Sequence, residues 1–169
     1  GKVKTFKAND DGKELVVGLY TEGDFLGYVA LLEGGSYKET AEAMEDSELA
    51  IIPKADFDEL MNSNSQVAQK FIQLLAKNVA EKEEHLLGLA YNSLRKKVAD
   101  ALISLQRKYQ VGEGQFSINI SRENLASIAG TATESLIRTL GDFRSEKLID
   151  IKEGSIVIIN EKKLENLIN

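Results

Sequence analysis

Two side chains in the C-terminal part of the sequence, Glu134 and Arg138, have the chemistry needed to read a nucleobase. An arginine can donate two hydrogen bonds to guanine, and a glutamate can accept one from the amino group of cytosine. Residues four apart share one face of a helix, so a helix here would present both groups to the same surface, together with Thr133. The spacing therefore predicts a pair of base-reading side chains on one exposed helix face.

A purely structural interpretation competes with this one. Thr131 and Glu134 fit the T-x-x-E capping box, in which a hydroxyl and a carboxylate satisfy free amides at a helix start. A glutamate and an arginine four residues apart also form an ordinary ion pair on helix surfaces. Both interpretations stay open for Glu134 and Arg138.

The surrounding residues have the pattern of a helix-turn-helix. A first helix is predicted over Arg122–Ala129, with the Ser121 hydroxyl accepting a hydrogen bond from an amide at its start. Gly130 can adopt the left-handed conformation that turns the chain into the next helix. A second helix is predicted over 133–144, and its apolar residues share one side. They are Leu136, Ile137, Leu140 and Phe143.

Apolar segments on either side of this motif complete a winged helix. Segments 148–151 and 156–159 flank a turn at 152–154 and predict a β-hairpin, the wing. Before the motif, Ser93 can cap a helix over Leu94–Tyr109. The next residues predict a loop over 111–115 and a short strand over 116–120. The residues of the preceding helix expected to pack under the helix-turn-helix are Val98, Leu102 and Leu105.

The composition limits the sites that the chain can form. It has 169 residues with a hydrophobic content of 43%, enough for one large or two small domains. The lack of cysteine excludes iron–sulfur ligation, the usual structural zinc sites and thiol redox sensing. There is no Ser-His-Asp spacing, P-loop or metal cluster, so we do not expect an enzyme. No apolar run could span a bilayer and no signal peptide opens the chain, so we expect a cytoplasmic protein without a membrane partner.

The net charge of −6 is unusual for a nucleic-acid-binding protein, but the charge is unevenly distributed. Residues 1–94 contain 9 Lys and Arg against 17 Asp and Glu, a balance of −8, whereas residues 95–169 contain 12 against 10, a balance of +2. The half that contains the helix-turn-helix is the basic one. DNA affinity would therefore depend on a few well-placed cations and on dimerisation.

The first part of the chain has an antiparallel β pattern. Three strands are predicted, over 2–7, Glu14–Tyr20 and 48–52. A turn at 9–12 joins the first two, and Pro53 closes the third. In the second strand, alternation places Leu15, Val17 and Leu19 on one side.

Two helices are predicted next, a short one over 55–60 and a long one over 65–92. The apolar stripe of the long helix is longer than one small β domain can cover, so part of it should pack on a second chain. The expected interface residues are Phe71, Leu75, Val79, Lys82, Leu86 and Leu89. A helix packed wholly on its own domain is the alternative, because Lys82 and Glu83 interrupt the stripe.

With these elements in this order, the chain resembles the cyclic-AMP receptor protein superfamily of bacterial transcription regulators, often called Crp/Fnr. The resemblance covers essentially all 169 residues. Its most specific parts are GDFLG at 23–27, ETAEAMEDSELAII at 39–52, LAYNSLRKKVADALISL at 89–105 and the helix-turn-helix.

The resemblance implies an α+β chain with three parts: an incomplete antiparallel β-roll like a cyclic-nucleotide-binding domain (1–62), a long dimerisation helix (63–92) and a winged helix-turn-helix (93–169). A hinge near 91–93 would position two recognition helices in successive major grooves, about 34 Å apart on a palindromic site. Glu134 and Arg138 fall on the family's base-reading positions, and Thr133 stands where the cyclic-AMP receptor has arginine. The residues expected to contact DNA are Ser121, Arg122, Thr131, Thr133, Glu134, Ser135 and Arg138.

The N-terminal part departs from the family pattern. Residues 1–7 match a middle strand, so we expect the first strands to be missing, either in a fragment or in a trimmed longer parent. Nucleotide-binding members use a glutamate for the ribose and an Arg-Ser pair for the cyclic phosphate. Here Tyr28 stands near the glutamate position, and Tyr37 and Lys38 stand where the pair is expected. These three are the candidate effector-binding residues, with Lys38 either holding an anion or lying solvated in a loop.

Other residues bear on the ligand. Lys82 and Glu83 replace the small hydroxyl residues that meet adenine in the family, which argues against cyclic AMP in the usual mode. His85 raises the question of haem, which some members use to sense gases. A lone histidine among charged residues is ordinarily a surface or interface residue, so no cofactor is expected.

These observations predict a homodimeric DNA-binding transcription regulator controlled by an effector or fused domain that the sequence does not identify. Its expected partners are double-stranded DNA and a second copy of the chain, and RNA polymerase stays open as a third. The alternative is a protein-interaction or degenerate sensor module whose winged helix contacts protein instead of DNA. The pI of 5.0 and the missing strands favour that alternative slightly.

Overall fold

The computed structural model describes residues 1–112, 114 and 116–167, so part of the loop predicted at 111–115 lies outside the described residues. The helices and strands, in chain order, are β1 Val3–Ala8, β2 Glu14–Tyr20, α1 Tyr28–Glu33, β3 Thr40–Ala43, α2 Lys54–Ser63, α3 Ser65–Tyr91, α4 Leu94–Tyr109, β4 Ser117–Ile118, α5 Arg122–Ala129, α6 Thr133–Ser145, β5 Ile149–Lys152, β6 Ser155–Ile158 and α7 Glu161–Glu165.

The first sheet is antiparallel, with β1 between β2 and β3. Its pairing shifts by one residue between Thr5 and Phe6, which leaves Val17 as the extra residue of a β-bulge. Because the bulge interrupts the alternation, the buried residue of β2 is Val16, which is 4% exposed. The prediction that Leu15, Val17 and Leu19 lie on one side of β2 is therefore wrong.

The third strand lies earlier in the chain than predicted. Residues 40–43 pair with β1, whereas 48–52 form no strand. In that segment Leu49 is 61% and Ile51 is 90% exposed. Within the described residues no neighbouring strand pairs with this segment, so it forms no ladder. The strand predicted over 48–52 is wrong, and Pro53 instead precedes α2 as its N-cap residue.

The long helix α3 begins after Asn64, whose side-chain oxygen accepts hydrogen bonds from the amides of Gln66 and Val67. Phe71 on its inner side is 7% exposed. The ring centroid of Phe71 lies 5.8 Å from that of Tyr28 and 5.2 Å from that of Phe57. Phe71 therefore belongs to the core of its own chain. Its predicted place in the interface with a second chain is wrong.

The C-terminal part has a larger core around α4. Ser93 caps this helix by accepting a hydrogen bond from the amide of Lys96. Val98 and Leu102 are 0% exposed and Leu105 is 2% exposed, and all three pack under the helix-turn-helix, as predicted. The burial of one side of α4 connects α5, α6 and the second sheet into one core.

The second sheet has the strand order β4-β6-β5. The hairpin of β5 and β6 is the predicted wing, and its turn residues Glu153 and Gly154 have φ values of 50° and 83°. Positive φ at both central residues is typical of a type I′ hairpin turn. Strand β4 is shorter than predicted, because only Ser117 and Ile118 pair with β6.

Candidate nucleic-acid interface

The first helix of the predicted motif and its turn are present. The Ser121 hydroxyl accepts a hydrogen bond of 3.1 Å from the amide of Asn124, and α5 ends at Gly130 with φ of 61°. A Cβ atom on Gly130 would lie 2.5 Å from Cδ2 of Leu89, at the end of α3. The left-handed turn therefore favours glycine, and any larger residue would also have to displace the Leu89 side chain.

The second helix, α6, directs one side into the core. Leu136 and Phe143 are 0% exposed and Leu140 is 2% exposed. Ile137 was predicted on the same side but is 53% exposed, so that assignment is wrong. At about 100° per residue, Ile137 instead lies at the edge of the outer face, about 60° around the helix from Glu134.

Glu134 and Arg138 are exposed on this outer face. Among the described residues, neither side chain has an ion-pair or hydrogen-bond partner, and they do not pair with each other. The competing capping box is not formed either, because the N-cap residue of α6 is Ala132 and no side chain caps this helix. The amide of Thr131 instead bonds the carbonyl of Ala126 at 3.0 Å, which places Thr131 in the turn after α5.

The other predicted DNA contacts have different local roles. Nη2 of Arg122 donates a hydrogen bond of 2.8 Å to the carbonyl of Gly154, so Arg122 connects α5 to the wing turn. Thr131, Thr133 and Ser135 are all partly exposed at the start of α6. The three hydroxyl residues therefore lie within three residues of Glu134 along the chain, while Arg122 supports the wing.

A contact that the sequence analysis did not identify supports the buried side of α6. The guanidinium of Arg95 lies 4.9 Å from the ring centroid of Phe143. The same arginine forms an ion pair of 2.7 Å with Glu146, just after α6. Arg95 therefore connects the start of α4 to the recognition helix. Phe143 and Glu146 are far from Arg95 along the chain, so no local sequence pattern indicates this contact.

The β1–β2 hairpin packs directly on the helix-turn-helix through Lys4. The side chain of Lys4 is 2% exposed, and its Nζ donates a hydrogen bond of 2.6 Å to Oδ1 of Asn124 in α5. Carboxylates of Glu42 and Glu14 lie 3.3 and 3.8 Å from the same Nζ. Ser127 adds a hydrogen bond of 2.9 Å to the carbonyl of Glu14. The N-terminal sheet and the first helix of the motif are thus joined by a buried charge.

We expect Lys4→Met to lower the free energy of unfolding by about 1–3 kcal/mol, because the side-chain oxygen Oδ1 of Asn124 loses its buried hydrogen-bond donor. Urea unfolding of the whole chain measures this effect. Lys7→Met is the matched control, since Lys7 lies exposed on the same strand and should change stability by less than about 0.5 kcal/mol. Equal stability of the two variants would contradict a structural role for the Lys4 contact.

The three candidate effector-binding residues line one cavity of about 690 Å³ between β2, α1 and α3. Tyr28 is 5% exposed, its hydroxyl is hydrogen-bonded to the amide of Asn78 on α3, and burial raises its pKa. Tyr37 is 70% exposed at the rim. Lys38 forms an ion pair of 2.7 Å with Glu33, so its charge is already compensated. His85 also borders this cavity.

The described part of the chain contains no group of three or more His, Asp or Glu side chains arranged to hold a metal ion. None of the helices described here combines the length and the apolar character needed to cross a membrane.

Comparisons with known proteins agree with this architecture. Residues 1–64 match the profile of the cyclic nucleotide-binding domain, and residues 96–167 match that of the Crp-like helix-turn-helix domain. The cyclic AMP receptor protein of Thermus thermophilus is 30% identical over 167 residues, which cover 99% of this chain and 76% of that protein.

Solved structures show the same fold. FixK2 from Bradyrhizobium japonicum superposes with a TM-score of 0.87 at 25% identity, covering 99% of this chain and 83% of that one. A Crp/Fnr-family transcriptional regulator from Thermus thermophilus superposes with a TM-score of 0.80 at 24% identity, covering 98% and 82%.

Regulators of this family bind DNA and act as dimers, and the relatives are transcription regulators, not enzymes. The N-terminal sheet, the long helix and the winged helix-turn-helix follow in the family order. The chain therefore belongs to the Crp/Fnr family of bacterial transcription regulators.

Proposed function

We propose that two copies of this chain read a palindromic DNA operator through α6, with Glu134 and Arg138 contacting base edges. The observation that carries this proposal is the exposure of both side chains, unpaired within the described residues, on the side of α6 opposite its core residues. Charged side chains that stabilise a helix surface usually pair locally. A pair left free on the outer face of a helix-turn-helix is better explained by an external partner.

The outer face of α6 also suits the major groove in shape. The groove is about 12 Å wide and admits one helix, whose N-terminal residues reach the base edges. Glu134 and Arg138 lie in the first two turns of α6. Ile137, 53% exposed, lies about 60° around the helix from Glu134, at the edge of this face, where it could contact a thymine methyl group. Contacts of the arginine with guanine, of the glutamate with cytosine and of the isoleucine with thymine would together specify a short base sequence.

Neighbouring groups are suited to the phosphate backbone. Hydroxyls and free amides at helix N-termini commonly bind phosphate oxygens, which positions the protein without reading sequence. We assign this role to Thr131, Thr133 and Ser135 at the start of α6 and to Ser121 at the start of α5. Arg122 would act indirectly, by holding the wing turn through the Gly154 carbonyl.

A palindromic site requires a second recognition helix, and α3 offers the surface for a second copy. Three of its exposed apolar residues, Ile72, Val79 and Leu86, are 64%, 55% and 61% exposed and recur every seven residues, and the exposed Leu87 lies beside this row. We place the dimer seam on this row. Of the residues predicted from the sequence, Val79, Lys82 and Leu86 lie on or beside the row, while Leu75 and Leu89 flank it and Phe71 lies inside.

Effector control is proposed to act through the cavity bordered by Tyr28, Tyr37 and Lys38. A ligand that binds better to the dimer arrangement whose recognition helices fit the operator would shift the population towards that arrangement. Tyr37 and Lys38 stand in place of the Arg-Ser pair that holds the cyclic phosphate in nucleotide-binding members, which argues against cyclic AMP in the usual mode. We further propose that the protein acts in the cytoplasm, where RNA polymerase would be a contact at promoters.

Salt dependence of binding tests the proposal. An operator is first selected from a random double-stranded library at low salt, and its affinity is then measured at rising salt. Contacts to about 6–10 phosphates would lower the affinity about 10³- to 10⁵-fold between 50 and 200 mM salt. Failure to select any DNA, or a salt-independent affinity, would contradict DNA reading and favour a winged helix that contacts protein.

A further inference from the structure

One side of α3 is exposed along its length with a repeating spacing of four and three residues. The residues of this row are Ile72, Ala76, Val79, Glu83, Leu86 and Ala90, and all six are exposed in the single chain. This is the a/d repeat of a coiled coil, with large apolar residues at d and alanine at two of the three a positions. The first half of the opposite side of α3 is already covered, because Phe71 and Leu74 pack in their own domain.

One a position is charged, and its neighbour carries the opposite charge. Glu83 interrupts the apolar row, and Lys82 before it occupies the flanking g position. Among the described residues, neither side chain has an ion-pair or hydrogen-bond partner within the chain. A carboxylate at the centre of an apolar seam is costly unless a cation lies beside it.

Parallel, in-register pairing supplies that cation. In a parallel two-stranded coiled coil, a side chain at a packs into a hole that includes the g and a residues of the other helix. Glu83 of one copy would therefore lie against Lys82 of the second copy, and two-fold symmetry repeats the contact. The four charges at this level of the seam sum to zero.

We propose that Lys82 and Glu83 form two reciprocal ion pairs across the dimer seam and that these pairs set the parallel register of the two long helices. The inference rests on the proposed dimer. It adds a residue-level reason for the alignment of the two recognition helices, since register along α3 determines where each winged helix is placed.

Shifted registers lack this pairing. A slip of one heptad would place Glu83 in a hole whose g residue is Leu75 or Leu89 and whose a residue is Ala76 or Ala90. The carboxylate would then be surrounded by apolar groups, with no cation. A single polar residue at an a position is a well-known determinant of register and strand number, at some cost in stability. Glu83 with Lys82 fits that role.

Charge exchange tests the pairing. Sedimentation equilibrium of the whole chain gives the dimer dissociation constant. Lys82→Glu or Glu83→Lys alone should raise it roughly 10- to 100-fold, because each places like charges together twice. The double variant K82E/E83K exchanges the two charges and should return the constant to within about threefold of the original.

Glu84 provides the matched control, since it is one residue along and off the seam. Glu84→Lys makes the same charge change as Glu83→Lys but should leave the dissociation constant within about twofold, and K82E/E84K should stay as weak as Lys82→Glu. The pairing is overturned if K82E/E83K binds no better than the single variants, or if Glu84→Lys weakens the dimer as much as Glu83→Lys.

Cross-linking tests the register independently, because the chain contains no cysteine. Leu86→Cys should form a disulfide between copies under oxidation, whereas Glu81→Cys, on the opposite side of α3, should not. A dimer in which Leu86→Cys does not cross-link overturns the parallel register. An original chain that sediments as a monomer overturns the proposed dimer itself, whereas a dimer that fails only the charge exchange overturns the ion pairs alone.

Discussion

Arg138→Ala should lower the affinity for the selected operator by between about 30-fold and 10⁴-fold. A bidentate arginine–guanine contact contributes about 1–3 kcal/mol of discrimination, and a dimer makes the contact twice. The exposed guanidinium has no partner among the described residues that could compensate for its loss. Fluorescence anisotropy with labelled operator and with a scrambled duplex of equal length measures both affinity and specificity.

Non-specific binding should change much less, so the ratio of specific to non-specific affinity falls. Arg107→Ala is the matched control: it removes the same charge from an exposed position on α4, where the arginine forms an ion pair with Glu165. We expect a change below about threefold for this control. If Arg107→Ala and Arg138→Ala weakened the operator equally, charge alone would explain the loss and base reading by Arg138 would be excluded.

Phe143→Ala should lower the free energy of unfolding by about 3–5 kcal/mol, the usual cost of truncating a fully buried aromatic ring. The ring is 0% exposed in the C-terminal core and forms the surface on which Arg95 stacks. Its loss would leave a cavity under α6 and remove a support of the recognition helix. Urea unfolding followed by circular dichroism gives the measurement.

The expected order of stability is original chain, then Phe143→Leu, then Phe143→Ala, because leucine fills part of the space. Ile137→Ala serves as the control on the same helix, since its exposed side chain should contribute less than about 0.5 kcal/mol. A Phe143→Ala variant as stable as Ile137→Ala would show that the core of the winged helix is not the one described.

The helix-turn-helix was predictable because its signals are local. Ser121 caps α5 by accepting a hydrogen bond from the amide three residues ahead, Gly130 supplies the positive φ, and the apolar residues of α6 recur within two turns. Exposure of Glu134 and Arg138 followed from the same periodicity. The capping box at Thr131 failed although its motif is local, because the Thr131 amide is already bonded to the Ala126 carbonyl and the helix starts one residue later.

The N-terminal part was less predictable because its structure depends on distant partners. Alternation over 48–52 indicates only an extended chain, and whether it pairs depends on strands elsewhere. The bulge at Val17 is likewise a property of the pairing between two strands. Lys4 is buried by Asn124, which lies 120 residues away, so nothing near Lys4 marks it.

The long helix shows a third kind of limit. Both sides of α3 carry apolar residues, and the stripe alone does not show which side is covered by its own domain. The structure buries Phe71 and exposes its neighbour Ile72, which continues the expected row of Val79 and Leu86. Choosing between two apolar faces requires the packing of α1 and α2, which only the fold provides.

Methylation interference on the selected operator tests base reading by Arg138, because methylation of guanine N7 blocks the acceptor that an arginine reads in the major groove. We expect interference at symmetric guanines in two half-sites about 10 base pairs apart, and we expect it to be lost at those guanines with Arg138→Ala. Interference confined to one half-site, or an unchanged pattern with Arg138→Ala, would contradict base reading by paired α6 helices.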